Sequence, residues 1–293
     1  MSRSLLRSKR LRAVAGAIAV VYVFRSLAAW LLALPVLQAA ANSGVLNFPA
    51  GDAVLFEPGA SYLLEFLSSQ RRGLLAASSW YWMAWLTLGF AGLWPQWLWF
   101  RASAFDADTA RPAAPLWPES FEFALLGALS WLARGTLLVV TLMAALALRI
   151  WLLRVDDERV ADLSALGVVA AGLVTQGGCS VWHDVSRAVL VRQGLHARAA
   201  SARARALLRQ RWRALGVSYV STLLGSAALI AGGAALVSSI DPARPSGWST
   251  AFAFASHQGV VLASLACRAV WINITVRAAT PPRPDQPHAE AFL

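Results

Sequence analysis

Charge is what this chain has least of. Only 14% of its 293 residues are Asp, Glu, Lys or Arg, against 58% hydrophobic, where soluble domains carry roughly 25% charged and 45–50% apolar residues. Too little polar surface remains to cover such a chain in water, which excludes an ordinary soluble enzyme or binding domain. Cysteine is scarce too. Cys179 and Cys267 each lie inside an apolar stretch, giving neither a disulfide framework nor a metal-ligand spacing. No H-E-x-x-H, G-x-S-x-G or glycine-rich phosphate loop occurs, so the familiar signatures of metalloprotease, hydrolase and nucleotide chemistry are missing. Gly177-Gly178-Cys179-Ser180 followed by His183 and Asp184 holds nucleophile and base residue types, but without an identifiable elbow. The expectation is no enzyme, no cofactor and no metal.

What the chain does have is long apolar runs. A membrane-crossing helix needs about 20 mainly apolar residues, because the hydrocarbon core is about 30 Å thick. Six stretches qualify: 13–37, 77–100, 123–148, 163–182, 215–238 and 250–276. The predicted fold is therefore all-α, a polytopic transmembrane bundle of six helices over residues 1–280 with a disordered tail at 281–293. Arg3, Arg7, Lys9, Arg10 and Arg12 precede the first run, and Ala39-Ala40-Ala41 imitates a signal cleavage site. Apolar residues continue past Arg25 to Leu37, however, which favours a retained first helix over a cleaved signal. In the second span Trp80, Trp82 and Trp85 mark one end and Trp94, Trp97 and Trp99 the other, as expected of interfacial tryptophans.

Basic residues orient the bundle. With the N-terminus inside, cytoplasmic segments hold 17 Lys and Arg and outer segments six, so both termini are predicted to be cytoplasmic. The net charge of +11 is concentrated in 1–12 and 184–213. The outer loop 38–76 is punctuated by Gly and Pro and includes a short surface helix at 61–67. The loop 101–121, with Pro112, Pro115 and Pro118, reads as irregular. Asp156, Asp157 and Glu158 mark the turn between the third and fourth spans.

Segment 184–214 has eight arginines and no proline and reads as a basic helix on the membrane surface. Arg198, Arg205, Arg209 and Arg213 share one face, opposite Ala200, Ala204, Leu207, Leu208 and Leu215, with Arg211 interrupting the apolar side. Its expected partners are the lipid bilayer and anionic lipid headgroups; nucleic acid is not expected. Small residues in the fourth span (Gly167, Gly172, Gly177, Gly178) and in the fifth (Gly225, Ala227, Ala231, Gly232, Ala235) imply close helix packing. A homo-oligomer, or another membrane protein as partner, remains open.

Three arginines stand within the predicted spans: Arg25, Arg134 and Arg268. A charge near the bilayer centre costs about 2.5–3.5 kcal/mol on insertion scales. No acid lies deep in any span; Glu122 and Asp184 sit near span ends, and Gln176, His183, His257, Gln258 and Asn273 are neutral candidates as partners. Two readings follow. The arginines line one cytoplasm-facing cavity for an anion or lipid headgroup, or each snorkels to the interface in a structural role.

The layout from about 120 to 278 is similar to one bacterial group. Ser120-Phe121-Glu122-Phe123 opens the third helix, the fourth span runs into Asp184-x-x-Arg187, and an arginine-rich helix precedes a small-residue fifth span. This resembles the six-helix membrane proteins related to the membrane domain of glycerophosphoryl diester phosphodiesterases. The resemblance implies an all-α bundle, and it carries over Asp184 and Arg187 without a stated role. It implies no particular activity, since no soluble phosphodiesterase domain is present. The chain departs from the group at Trp94-Pro95-Gln96-Trp97, where a small-residue ending is expected. The function expected is that of a multi-pass protein of the bacterial inner membrane, a non-enzymatic scaffold or accessory. The alternative is a transporter or lipid-handling protein with an arginine-lined site at Arg25, Arg134, Arg268, Asp184 and Arg187.

Overall fold

Every described element is an α-helix, as runs of alanine and leucine favour in water and as lipid requires of a backbone that must satisfy its own hydrogen bonds. The computed structural model describes residues 3–42, 71–104, 116–154, 157–238 and 247–280. The expected surface helix at 61–67, Asp156 and the tail 281–293 lie outside the described residues. The helices are α1 (Arg3–Asn42), α2 (Arg71–Ala91), α3 (Leu93–Ala104), α4 (Leu116–Leu152), α5 (Glu158–Gln193), α6 (Ala197–Ser238) and α7 (Gly247–Ala278).

Five helical stretches among the described residues are long and apolar enough to cross a membrane: Leu11–Pro35, Trp117–Leu152, Glu158–Gln193, Ala197–Ser238 and Ala251–Ala278. The chain is a multi-pass membrane protein. Large apolar side chains stay exposed along these helices, Met143 at 61% and Val174 at 77% among them, a surface that suits lipid rather than water.

The second expected span, 77–100, is not one helix. A turn at Gly92 separates α2 from α3, and Pro95 supplies the reason. It has no N–H for the carbonyl of Ala91, and its ring crowds that carbonyl. Gly92 is buried, and a Cβ there would lie 3.0 Å from the Phe24 ring. The two tryptophan groups differ as well. Trp80, Trp82 and Trp85 are exposed, whereas Trp97 and Trp99 are 3% and 1% exposed. The second group is therefore packed inside the protein, apart from the exposed Trp94, and does not form an interfacial belt. The loop 101–121 is likewise more regular than expected. Helix α3 runs to Ala104 and α4 starts at Leu116, with Pro118 in a first turn that needs no donor from it.

Helix α5 starts at an N-cap, Asp157, whose side chain accepts from the Arg159 N–H at 3.3 Å. It ends at Gly194, whose φ of 66° is the left-handed conformation that closes helices. Its 36 residues extend about 54 Å, well beyond the hydrocarbon thickness, so it continues past the expected end at 182. The expected single basic helix 184–214 is accordingly divided. Residues 184–193 are the last turns of α5, and α6 begins afresh at Ala197. Helix α6 is itself kinked at Arg211, which has φ −125° and ψ 26°.

The chain forms two compact units. The first comprises 1–14, 97–221 and 270–293, and Trp99, Phe100, Phe123, Leu190, Trp271 and Ile272 are among its fully buried side chains. Arg149 near the end of α4 pairs there with Asp162 of α5 at 2.7 Å, beside the turn that the acidic run marks. Gly172 of α5 packs directly on Thr141 of α4. The second unit comprises 15–96 and 222–269. In it Tyr22 donates to Gln258 Oε1 at 2.6 Å, and Gly225 and Gly233 of α6 pack on Cys267 and Val260 of α7. Gly232, expected on the contact stripe, faces open space, as do Gly167 and Gly178 of α5.

Candidate functional site

Polar side chains gather in the first unit where α5 leaves its apolar stretch. Residues 183–191 of α5 are all buried, and three of them are ionisable. His183, Asp184 and Arg187 are 5%, 3% and 4% exposed. Asp184 Oδ2 accepts from the indole N–H of Trp271 on α7 at 2.8 Å, and its Oδ1 lies 3.9 Å from Arg187 Nη1. The Arg187 guanidinium also covers the ring of Phe123 on α4, 5.1 Å from its centroid. Trp271 is held in turn by an edge-on contact with Tyr219 of α6 at 5.1 Å. Four helices thus converge on one ion pair.

One turn earlier, α4 adds a second arginine. Arg134 Nη1 donates to Ser180 Oγ at 3.4 Å, a long bond, while the Ser180 hydroxyl donates to the Gln176 carbonyl at 2.9 Å. His183 lies within reach of the charges of Arg187, Arg134 and Asp184. Ser130 stands four residues before Arg134 on α4, which puts both on one helix face. Buried polar atoms here without a protein hydrogen-bond partner among the described residues include Ser130 Oγ, Arg134 Nε and His183 Nδ1. Each such atom costs roughly 1–3 kcal/mol when left unsatisfied.

Of the five arginine-site residues expected from the sequence, the structure brings Arg134, Asp184 and Arg187 into this first unit. Arg25 and Arg268 belong to the second, where their charges are within reach of each other. Ser130 and Trp271 were not anticipated, and Phe123 was singled out only as part of the opening of its helix. Their residue types are ordinary for apolar helices, and only folding reveals what they face.

The basic face of α6 forms largely as expected. Arg198, Arg205, Arg209 and Arg213 are exposed, together with Arg203, while Ala197, Ala200, Ala204 and Leu215 are buried. Arg205 lies over the Trp182 ring at 5.8 Å, and the Trp182 indole N–H reaches the Ser201 carbonyl at 3.3 Å. Glu122, considered above as a partner for the arginines, serves instead at the start of α6. Its Oε2 accepts from the Ala197 N–H at 2.9 Å, and its Oε1 lies 3.3 Å from His196 Nδ1. A carboxylate at a helix N-terminus satisfies an orphan N–H and complements the helix dipole. Glu122→Ala is expected to cost about 0.5–2 kcal/mol and to speed amide exchange over 197–200. Unchanged exchange there would show that α6 starts without this cap.

The end of α5 fastens two other helix ends. Arg192 Nη1 donates to the Ala104 carbonyl at 2.7 Å and its Nε to Thr280 Oγ1 at 3.3 Å. Gln193 Nε2 donates to the Ala279 carbonyl at 2.8 Å. Near α3, Trp97 Nε1 donates to Glu119 Oε1 at 3.2 Å, and Arg101 lies over the Trp97 ring at 5.3 Å. No group of His, Cys, Asp and Glu suited to a metal ion occurs among the described residues. No family model, curated protein or solved structure matches this chain, so none links it to the membrane domain of glycerophosphoryl diester phosphodiesterases.

Proposed function

We propose that the chain is a non-enzymatic scaffold or accessory protein of the bacterial inner membrane. Both termini face the cytoplasm, and the arginine face of α6 rests on anionic lipid headgroups. The observation that carries this reading is the division of α6 at Arg211. Before the kink the helix is amphipathic, with four exposed arginines at 198, 203, 205 and 209 against buried Ala200 and Ala204, and Arg213 follows directly after it. The rest of the helix is mainly apolar and suited to crossing the bilayer. A joint there lets the basic segment follow the headgroup plane while the remainder enters the hydrocarbon, each basic side chain near that surface adding about 1 kcal/mol of attraction. The non-enzymatic part is supported by the bonding around α5. The Ser180 proton goes to a carbonyl, and Asp184 is engaged by Trp271 and Arg187, so the serine, histidine and aspartate types do not form a relay.

Hydrogen exchange in nanodiscs tests the surface contact. Amides of 197–210 should exchange more slowly in phosphatidylglycerol-containing discs than in phosphatidylcholine discs. The difference should shrink as salt rises, because such attraction is screened within about 8–10 Å at 0.1–0.15 M. It should vanish when Arg198, Arg205, Arg209 and Arg213 are all changed to Gln. Exchange indifferent to lipid charge would end the proposal. The alternative reading, a lipid-handling protein, draws on the buried cluster of the first unit.

A further inference from the structure

We infer that Ser130, Arg134 and His183 form an internal site for a phosphoryl oxyanion between α4 and α5. These three atoms without a protein hydrogen-bond partner, Ser130 Oγ, Arg134 Nε and His183 Nδ1, belong to one neighbourhood. Ser130 and Arg134 are one turn apart on α4. Arg134 is bonded across to Ser180, and its charge reaches His183. Ser130 and His183 are 1% and 5% exposed, so bulk water does not bathe them. All three groups donate, His183 when Nδ1 carries its proton. Arg134 Nε can only donate, and Ser130 and His183 can each donate beside it, so a single ligand rich in acceptor oxygens satisfies all three.

Charge points the same way. Arg134 and Arg187 are cationic and Asp184 is the one acid whose charge reaches His183 beside them, which leaves an excess of one positive charge. Glu122, the next acid on α4, is turned to the start of α6. A single negative charge spread over several oxygens matches both requirements, and a phosphodiester or dihydrogen phosphate has that form. Arg134 itself is half-buried while its Nε is enclosed, so its side chain leads from the surface into the cluster. The phosphoryl group has two possible sources, a phospholipid headgroup or free phosphate. The site involves none of the exposed arginines of α6, so it stands or falls separately from the surface contact proposed above.

The test uses the full chain in a maltoside detergent, which brings no phosphate of its own. Retained phospholipid is quantified by mass spectrometry, and orthophosphate binding is measured by calorimetry after delipidation. The expected result is one saturable phosphoryl ligand per chain. Stoichiometric phospholipid that competes with orthophosphate identifies a headgroup; orthophosphate binding that added phospholipid leaves unchanged identifies the free anion. Arg134→Gln should weaken binding by about tenfold or more, the scale of one charged hydrogen bond. Ser130→Ala removes only a hydroxyl, keeps the fold, and should weaken binding about threefold or more. The quadruple arginine variant of α6 should bind as the wild type does. A wild type that neither retains phospholipid nor binds orthophosphate would overturn the inference, and so would undiminished binding in both cluster variants.

Discussion

Asp184→Ala is expected to destabilise the protein by about 3–5 kcal/mol, the usual consequence of removing one partner from a buried ion pair. The carboxylate does two things at once. It accepts from Trp271 and offsets the charge of Arg187, both inside the first unit. Without it the guanidinium stays enclosed against Phe123, with this carboxylate partner gone. Thermal unfolding in detergent would show a markedly lower midpoint. Asp184→Asn should lie between the two, because its amide oxygen still accepts from the indole. Removing both charges together, Asp184→Leu with Arg187→Met, should recover most of the loss, since apolar replacements of a buried pair are often neutral. A paired variant as unstable as Asp184→Ala would locate the defect in packing instead of charge.

The tryptophans make a second contrast of similar size. Trp99→Ala should cost about 3–5 kcal/mol, the range for deleting a large buried ring, because Trp99 is 1% exposed. Trp82→Ala removes the same atoms from a side chain that is 59% exposed and should stay within about 0.5 kcal/mol of the wild type. Melting curves of the two variants side by side decide the matter. Equal shifts would restore the view that both tryptophan groups lie at the membrane interface.

Helices of this length were legible because the bilayer sets a length criterion that composition alone can meet. Five of the six expected spans correspond to helices long and apolar enough to cross. The break in the other was written in the chain as Gly92 and Pro95, but the flanking tryptophans drew the reading toward continuity. Arg211 was legible as a flaw in an apolar face, and it proved to be the kink between two differently built halves of α6. The cluster at 183–187 was harder to foresee. Counted as charges, Asp184 and Arg187 belong to a solvated cytoplasmic segment. Their burial depends on Trp271, 87 residues away, and on Phe123 from another helix, neither of which local periodicity can assign. The intramembrane arginines were visible as costly, but which of them share surroundings is a tertiary fact. The structure gives Arg134 to one unit and Arg25 with Arg268 to the other.

The fastening at the end of α5 bears on the order of folding. Arg192 and Gln193 reach partners 86 to 88 residues distant on both sides of the chain. Closing such long loops costs entropy before any contact repays it, whereas the α4–α5 hairpin is joined by a short turn and forms locally. The bonds of Arg192 and Gln193 are therefore made late, after the hairpin exists to present them. Interactions absent from the transition state hold the native state by slowing its opening and leave the folding rate nearly untouched. The last turn of α5 is in this sense expected to act as a kinetic lock: weakening it should shorten the time the first unit stays folded more than it changes how fast it gets there.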